Sequence, residues 1–262
     1  MIRIGCVPYL NGVPLSAWFE SPECDADVSI TYLTPSELGS GLNEGRLDVA
    51  MVSIFQLFIT PSLQLVPGIS VSADGPVRSV RLYSRVPPEE ITSVGMDTGS
   101  LTSAALVRIL LKELYGITPC YVPYPPNLDA MLETNDAGLI IGDLKLFDSP
   151  AQYILDLGEN WKKLTGMPFV YAGWLARPEI EINEVTLLLT QAKEWGIKHI
   201  DELAYVNAQK LKLPLHQVEE YFNLIMQYDL DERKMDAVRK FHAYCIGYKL
   251  VPPSSPNCSE IK

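Results

Sequence analysis

Short apolar segments alternate with helical patterns through the first half of the chain, and this alternation limits the fold more than any other feature. Residues 2–7 and 27–33 are predicted strands, and residues 47–52 form a nearly continuous apolar run typical of a buried parallel strand. Residues 13–19 are predicted to form a short helix, and Thr34–Glu37 carry the capping-box pattern that begins another. Strands that alternate with helices in this way favour an α/β fold with a parallel sheet.

A second group of strands and helices occupies the middle of the chain. An alternating stretch at residues 80–83 is predicted to cross into a second lobe, where residues 104–115 form an amphipathic helix. The other predicted strands of this lobe lie at residues 92–96, 120–123 and 137–141.

The chain is predicted to return to the first lobe at residues 169–174. Residues 183–248 then have helical patterns, and the tail beyond residue 251 is predicted to be a loose terminus. The expected lobes are a larger discontinuous one, residues 1–81 with 170–262, and a smaller one, residues 82–169. We therefore expect a ligand cleft between the two lobes, because open α/β sheets bind ligands at the carboxyl ends of their strands.

Composition excludes several kinds of partner. The net charge of the 262-residue chain is -11, whereas a nucleic acid or an anionic membrane would require a basic surface. No segment approaches the roughly 20 apolar residues that span a bilayer, and the N-terminus lacks the pattern of a secretory signal. Five widely spaced cysteines without a C-x-x-C pair favour reduced thiols, so a cytoplasmic location is predicted.

Polar residues follow several of the predicted strands, and we expect them to converge on the cleft. They are Tyr9 to Asn11, Ser53, the turn from Asp97 to Ser103, and Gly142 with Asp143; Arg78 and Ser79 come just before the crossing strand. Alternatives stay open for single residues. Asn11 also fits an ordinary turn before Gly12, Ser53 a backbone cap, and Asp143 a helix N-cap.

The turn from Asp97 to Ser103 is the strongest candidate for binding an anion. Ser100, Thr102 and Ser103 lie immediately before the predicted helix, whose free N–H groups and dipole favour a carboxylate or phosphate. The alternative is that Thr102 or Ser103 only caps this helix.

The motifs of several enzyme classes are missing from the sequence. There is no zinc-ligand cluster, P-loop, dinucleotide-binding glycine motif or nucleophile elbow, so neither a metal nor a cofactor is predicted. His199, His216 and His242 all lie in the C-terminal helical region, where we expect ordinary surface or core residues.

The segment VPYLNGVPL at residues 7–15 resembles the N-terminal motif of the menaquinone-biosynthesis family that contains chorismate dehydratase. Further similarity lies in segments 47–53, 75–85, 97–111, 141–143 and 156–170. One departure is Ile54, where the family often has a second serine. A sister branch, which processes a cyclic form of dehypoxanthine futalosine, carries a histidine in its cleft, and this chain has no histidine before His199.

The resemblance implies a two-lobed periplasmic-binding-protein-like fold (type 2) with an inter-lobe cleft and a helical C-terminal region. It also implies a cofactor-free lyase that dehydrates chorismate to 3-[(1-carboxyvinyl)oxy]benzoate. Asn11 would orient the substrate, and the base would be Asp143 or the substrate's own carboxylate. Substrate binding is assigned to Tyr9, Ser53, Ser79, Ser100, Thr102, Ser103 and Gly142.

Three alternative functions remain at this point. They are the sister futalosine-processing enzyme, a non-catalytic solute-binding protein and, more weakly, the effector module of a regulator. The lack of a secretory signal argues against the solute-binding protein, and the lack of a DNA-binding segment against the regulator. The sequence does not indicate an oligomeric state.

Overall fold

The computed structural model describes residues 1–97, 99–145 and 151–252, and its strands form two five-stranded sheets. The strands of the first sheet, in order across it, are β2 (Val28–Tyr32), β1 (Ile2–Cys6), β3 (Val49–Ser53), β10 (Phe169–Ala176) and β4 (Gln64–Ala73). As predicted, β1 runs parallel to β2 and to β3. β10 is antiparallel to both of its neighbours, so the sheet is mixed rather than purely parallel.

The second sheet is built from the middle of the chain. Its strands, in order, are β7 (Cys120–Tyr124), β6 (Ser93–Asp97), β8 (Ala137–Ile141), β5 (Val80–Ser84) and β9 (Tyr153–Asp156). β6 is parallel to β7 and β8, and β5 is antiparallel to β8 and β9. The chain thus crosses between the sheets twice, before β5 and before β10. The proposed lobes, residues 1–81 with 170–262 and residues 82–169, stay a prediction.

Helices pack around both sheets. Those that precede β10 are α1 (Val13–Ser16), α2 (Pro35–Asn43), α3 (Phe55–Ile59), α4 (Leu101–Tyr115), α5 (Leu128–Thr134) and α6 (Leu157–Thr165). Those that follow it are α7 (Ile182–Lys198), α8 (Ile200–Leu211), α9 (Leu215–Glu220) and α10 (Glu232–Gly247). The capping box at the start of α2 is confirmed, with Thr34 and Glu37 bonding each other's backbone N–H groups. One extensive apolar core runs through both lobes and includes Trp161 and Trp174.

The start of α4 was predicted wrongly. The helix begins at Leu101 rather than Ala104, because the Ser100 side chain accepts the Ser103 N–H and acts as the N-cap. Thr102 and Ser103 therefore lie in the first helical turn and are not caps. Asp97 is the last residue of β6, and the rest of the predicted turn shrinks to a few residues.

The C-terminal region is not helical throughout, and two strands were not predicted. Between α9 and α10 the chain leaves the helical pattern, because Gln227 forms a β-bridge with Ser72 of β4. β4 was missed since Pro67 and Gly68 interrupt its apolar pattern, and β9 because it has only four residues. The tail that was predicted to be loose lies, from residue 253 onward, outside the described residues.

Candidate active site

A cleft lies between the two sheets, and most of the predicted site residues line it. Those in the lining are Tyr9, Asn11, Ser53, Ser100, Ser103 and Gly142. The cavity has a volume of about 70 Å³, well below the roughly 300–1,000 Å³ of typical small-molecule sites. As it stands, this cavity is too small for a ring-sized ligand.

The described side chains that line this cleft include no lysine, arginine or histidine. The nearest arginines of the crossing segment are paired elsewhere: Arg78 with Glu220 at 2.8 Å and Arg81 with Asp156 at 3.6 Å. An anion in the cleft would be held by hydroxyl and N–H donors, as was expected for the start of α4.

Asn11 lies in a 3₁₀ turn, Leu10–Gly12, that leads directly into α1. Its side-chain Oδ1 is buried, and no described residue forms a hydrogen bond with it. A buried amide oxygen without a partner is unfavourable by about 1–3 kcal/mol. The side chain is therefore available to a ligand, which favours the site interpretation over an ordinary turn.

Ser53 and Thr102 connect the two lobes at the carboxyl end of β3. Their hydroxyls form a short hydrogen bond, and the Thr102 N–H donates to Ser53 Oγ at 3.1 Å. Thr102 Oγ1 also donates to the Tyr171 carbonyl at 3.2 Å and accepts the Phe55 N–H at 3.3 Å. The Thr102 hydroxyl therefore bonds to these protein atoms and lies behind the lining, whereas Ser53 lines the cleft.

Ser100 and Ser103 form a second hydroxyl pair at the start of α4. Ser100 Oγ accepts the Ser103 N–H at 3.2 Å and donates to Ser103 Oγ at 2.7 Å. Together with the bond from Thr102 to Ser53, this means that protein oxygens already occupy two of the N–H groups expected to bind an anion. Ser100 donates to Ser103 and Ser53 to Thr102, so the hydroxyl hydrogen of Ser103 is the one left to contact a ligand.

Tyr9 contacts Gly142 across the cleft. Gly142 has φ +73°, and a Cβ built there would lie 3.2 Å from the Tyr9 ring. A larger residue is disfavoured at this position both by backbone strain and by the ring. Burial raises the pKa of the Tyr9 phenol, and the nearby Asp97 and Asp143 carboxylates raise it further, so the phenol is a neutral donor.

Asp143 contacts the first lobe rather than the cleft interior. Both of its carboxylate oxygens accept the Leu10 N–H, at 3.1 and 2.9 Å, and so join the lobes. It lines a neighbouring cavity of about 480 Å³, which shares Val7 and Tyr9 with the lining of the cleft. Burial raises the pKa of Asp143 to about 6, although the bond from Leu10 opposes this shift. The carboxylate caps the turn of the other lobe, which was not among its predicted roles.

Asp143→Asn is expected to change how stability depends on pH. The folded state holds a proton on Asp143 up to about pH 6, whereas an unfolded aspartate loses it near pH 4. Wild-type stability therefore falls as pH rises between these values, and the asparagine variant lacks this fall. Relative to wild type, the variant should gain up to about 3 kcal/mol between pH 4 and 7, measured by urea unfolding. A constant difference across this range would contradict the raised pKa.

Ser79 lies behind the lining rather than in it. It is buried between two lining residues, Val80 and Gly142, and its carbonyl accepts the Gly142 N–H at 2.9 Å. Its hydroxyl accepts a hydrogen bond from Tyr221 at 2.8 Å.

Tyr171 lines the cleft and was not predicted as a site residue. Its hydroxyl is buried and has no hydrogen-bond partner among the described residues, and burial raises its pKa strongly. The only sequence signal was a tyrosine in the middle of the returning strand, where a core residue is equally expected.

The other sequence-based expectations concern metals, thiols and membranes. In the described ranges no group of three His, Cys, Asp or Glu residues could hold a metal ion. Cys6, Cys24, Cys120 and Cys245 form no disulfide with one another, while Cys258 lies outside those ranges. No helix in the described part of the chain is long and apolar enough to cross a membrane.

Comparison with known families identifies the group to which this cleft belongs. A family model described as "Menaquinone biosynthesis" matches residues 2–246. The chain belongs to this family. The matched range contains every candidate site residue from Tyr9 to Asp143, so the cleft lies within the part that the family shares.

Two proteins that are similar to this family member are both named chorismate dehydratase. The chain is 29% identical over 274 residues to the protein from Thermus thermophilus, which covers 97% of this chain and 98% of that protein. It is 25% identical over 253 residues to the protein from Campylobacter jejuni, with 94% and 98% covered.

A solved structure confirms the predicted fold class for this member of the menaquinone biosynthesis family. The periplasmic aliphatic sulphonate binding protein of Escherichia coli superimposes with a TM-score of 0.66, covering 99% of this chain and 96% of that one. The two sequences are 17% identical, so the likeness shows the fold alone. The two-lobed periplasmic-binding-protein-like fold was correctly predicted.

Proposed function

We propose that the protein is a chorismate dehydratase of menaquinone biosynthesis, a carbon–oxygen lyase that acts in the cytoplasm without a cofactor. The observation that carries the proposal is the family match, together with two relatives of that name covered over almost their whole length. The cleft supports it, since hydroxyl groups and an unpartnered amide suit a small dianion.

The reaction requires little chemical assistance from the protein. A proton leaves the ring carbon that bears the enolpyruvyl ether, and the C–H electrons form a new ring double bond. The C–O bond of the neighbouring hydroxyl breaks, and hydroxide combines with the proton to leave as water. The product, 3-[(1-carboxyvinyl)oxy]benzoate, is aromatic, so the protein must supply mainly orientation, a base and help for the leaving group.

Two groups are candidates for the base, and we favour the substrate's own enolpyruvyl carboxylate, which lies close to the proton. Asp143 is the other candidate. Its oxygens accept the Leu10 N–H and it lines the neighbouring cavity, and this arrangement favours a role in holding the lobes together.

Asn11 is assigned to orienting the substrate through the leaving hydroxyl or the adjacent carboxylate. The assignment rests on its unpartnered Oδ1 in the cleft and on the side-chain NH₂ that accompanies it. Because asparagine both donates and accepts, it can bind a hydroxyl in either direction.

The two substrate carboxylates are assigned to the hydroxyl groups at the lobe boundary. Ser103 contacts one carboxylate from the lining, and Ser53 contacts the other once its hydrogen turns from Thr102 toward the ligand. Ser79 is assigned to donate from directly behind the lining, Thr102 supports Ser53, and Tyr9, Ser100 and Gly142 complete the binding surface. Charge-assisted bonds from hydroxyls to carboxylates are stronger than neutral ones, which compensates for the lack of a cation.

The decisive test is incubation of the purified protein with chorismate, followed by absorbance and mass analysis. We expect a product lighter by one water with an aromatic spectrum, and none with heat-inactivated protein. Unchanged chorismate that nevertheless raises the melting temperature would overturn the enzyme in favour of a binding protein. Absence of both turnover and binding would overturn the substrate and direct attention to futalosine-derived compounds.

A further inference from the structure

Two consecutive residues of the C-terminal region hold two consecutive residues of the segment that crosses between the sheets. Glu220 accepts two hydrogen bonds of 2.8 Å from the guanidinium of Arg78. Tyr221 donates its hydroxyl hydrogen to Ser79 Oγ, also at 2.8 Å. A dipeptide 142 positions away in sequence therefore fixes where the crossing segment lies.

The crossing segment has a conformation that needs such support. Arg78 has φ +61°, in the left-handed region that non-glycine residues rarely adopt. The Asp156 carboxylate accepts the Val77 and Arg78 N–H groups at 2.9 and 2.7 Å. Strained backbone that several contacts hold in place is common next to functional sites.

The backbone around Tyr221 is also unusual. Helix α9 ends at Glu220 and continues as a π-turn over Tyr221–Ile225. Such turns are rare and are frequent at functional sites. The Tyr221 side chain is fully buried, so its hydroxyl must find its partner inside the protein, and Ser79 is that partner.

The direction of this hydrogen bond decides what Ser79 can do. Since Tyr221 donates, the Ser79 oxygen acts as acceptor and its own hydrogen remains to be given to another group. Among the described residues, that hydrogen reaches the Val77 carbonyl, at 3.4 Å, a long distance for an O–H···O bond. Ser79 lies directly behind the lining residues Val80 and Gly142, so a substrate carboxylate that enters between them would be the better acceptor.

We propose that Tyr221 is a positioning residue that makes Ser79 a hydrogen-bond donor to a substrate carboxylate. The inference rests on the proposed function, which assigns Ser79 to the dianionic substrate. In a chain of hydroxyls, the bond from Tyr221 polarises the Ser79 O–H and strengthens the bond that it donates.

Tyr221 keeps this role throughout the working pH range. Burial raises its pKa far above the usual value, and Asp143 and Asp156 raise it further, although the bond to Ser79 acts in the opposite direction. The phenol therefore stays protonated and remains a donor.

Ser79→Ala should raise KM for chorismate about tenfold, as expected for one lost hydrogen bond to a charged group. Tyr221→Phe leaves that bond in place but removes its polarisation, so it should raise KM about two- to threefold. Their kcat values should change much less. The KM of the double variant should be no higher than that of Ser79→Ala, because both substitutions act on the same chain of hydrogen bonds. Tyr228→Phe is the matched control: Tyr228 is buried nearby, its hydroxyl has no partner among the described residues, and KM should stay unchanged.

The inference would be overturned if Tyr221→Phe had the KM of wild type, or if the KM increases of the two single variants multiplied in the double variant. Both results can be obtained while the wild-type protein converts chorismate, so they leave the proposed function intact. If the wild-type protein does not convert chorismate, the proposed function fails and the inference falls with it.

A second pair of variants applies if Tyr221→Phe does not fold. Glu220→Gln leaves the Tyr221 phenol in place but removes the negative charge that binds Arg78. The crossing segment that carries Ser79 is then held less firmly, so KM for chorismate should rise several-fold. Glu219→Gln, one residue away and without such a contact, should match wild type. Equal KM values for these two variants would overturn the inference.

Discussion

Asn11→Ala is expected to lower kcat/KM for chorismate by about 100-fold, whereas Asp143→Asn should retain activity within about tenfold of wild type. The first figure is typical for the loss of one group that stabilises charge on a reacting oxygen. Asn11 has an unpartnered oxygen in the cleft, while Asp143 accepts the Leu10 N–H and lines the neighbouring cavity. Initial rates of product formation, followed by absorbance, measure both.

The opposite order of effects would identify Asp143 as the base and contradict a substrate carboxylate in that role. Asn11→Asp tests the effect of side-chain charge separately from the effect of side-chain shape. It keeps the size of the side chain but replaces the amide donor by a carboxylate, and it should lose activity because it repels a dianion.

Gly196→Ala is expected to destabilise the protein by about 3 kcal/mol, at the upper end for overpacking a core. Gly196 lies in α7, and a Cβ there would be 1.8 Å from the carbonyl oxygen of Pro14. That contact is to backbone, so α1 must move away. α1 follows directly on the turn that carries Asn11. Activity should therefore fall together with stability, measured by urea unfolding and by turnover on the same sample.

Gly247→Ala is the matched control for this change. Gly247 is the last residue of α10, and a Cβ there would meet nothing within 4 Å. Alanine at this position should be neutral or should stabilise by up to about 1 kcal/mol, since it has the higher helix propensity. Equal stability of Gly196→Ala and Gly247→Ala would show that α1 can shift without cost.

The sequence predicted those parts of the fold whose signals are local. The strands before residue 60 and the capping box of α2 appear where periodicity and cap residues indicated, because burial on two faces and N-cap chemistry leave direct patterns in the sequence. β4 was missed because a proline and a glycine interrupt its pattern and pairing with β10 compensates for them. The start of α4 was misplaced because Ser100, Thr102 and Ser103 are chemically similar cap candidates.

The candidate site residues stay a prediction, but those in the loops after strands line the cleft as expected, since the topology of an α/β sheet brings such loops together. Sequence reasoning found neither Tyr171 nor Tyr221. Each lies in a segment whose sequence pattern predicts ordinary core residues. The neighbouring residues of a buried tyrosine do not indicate which group its hydroxyl contacts.

The sequence by itself determined the fold class, the family and the set of loops that form the cleft, because hydrophobic periodicity and short motifs are written in neighbouring residues. Tertiary structure alone decided how the polar groups are shared. It engaged Thr102 with Ser53 and Tyr171, turned Asp143 toward Leu10, and placed Tyr221 against Ser79. The physical reason is that a buried hydrogen bond joins groups distant in the chain, and which donor meets which acceptor depends on how the lobes pack.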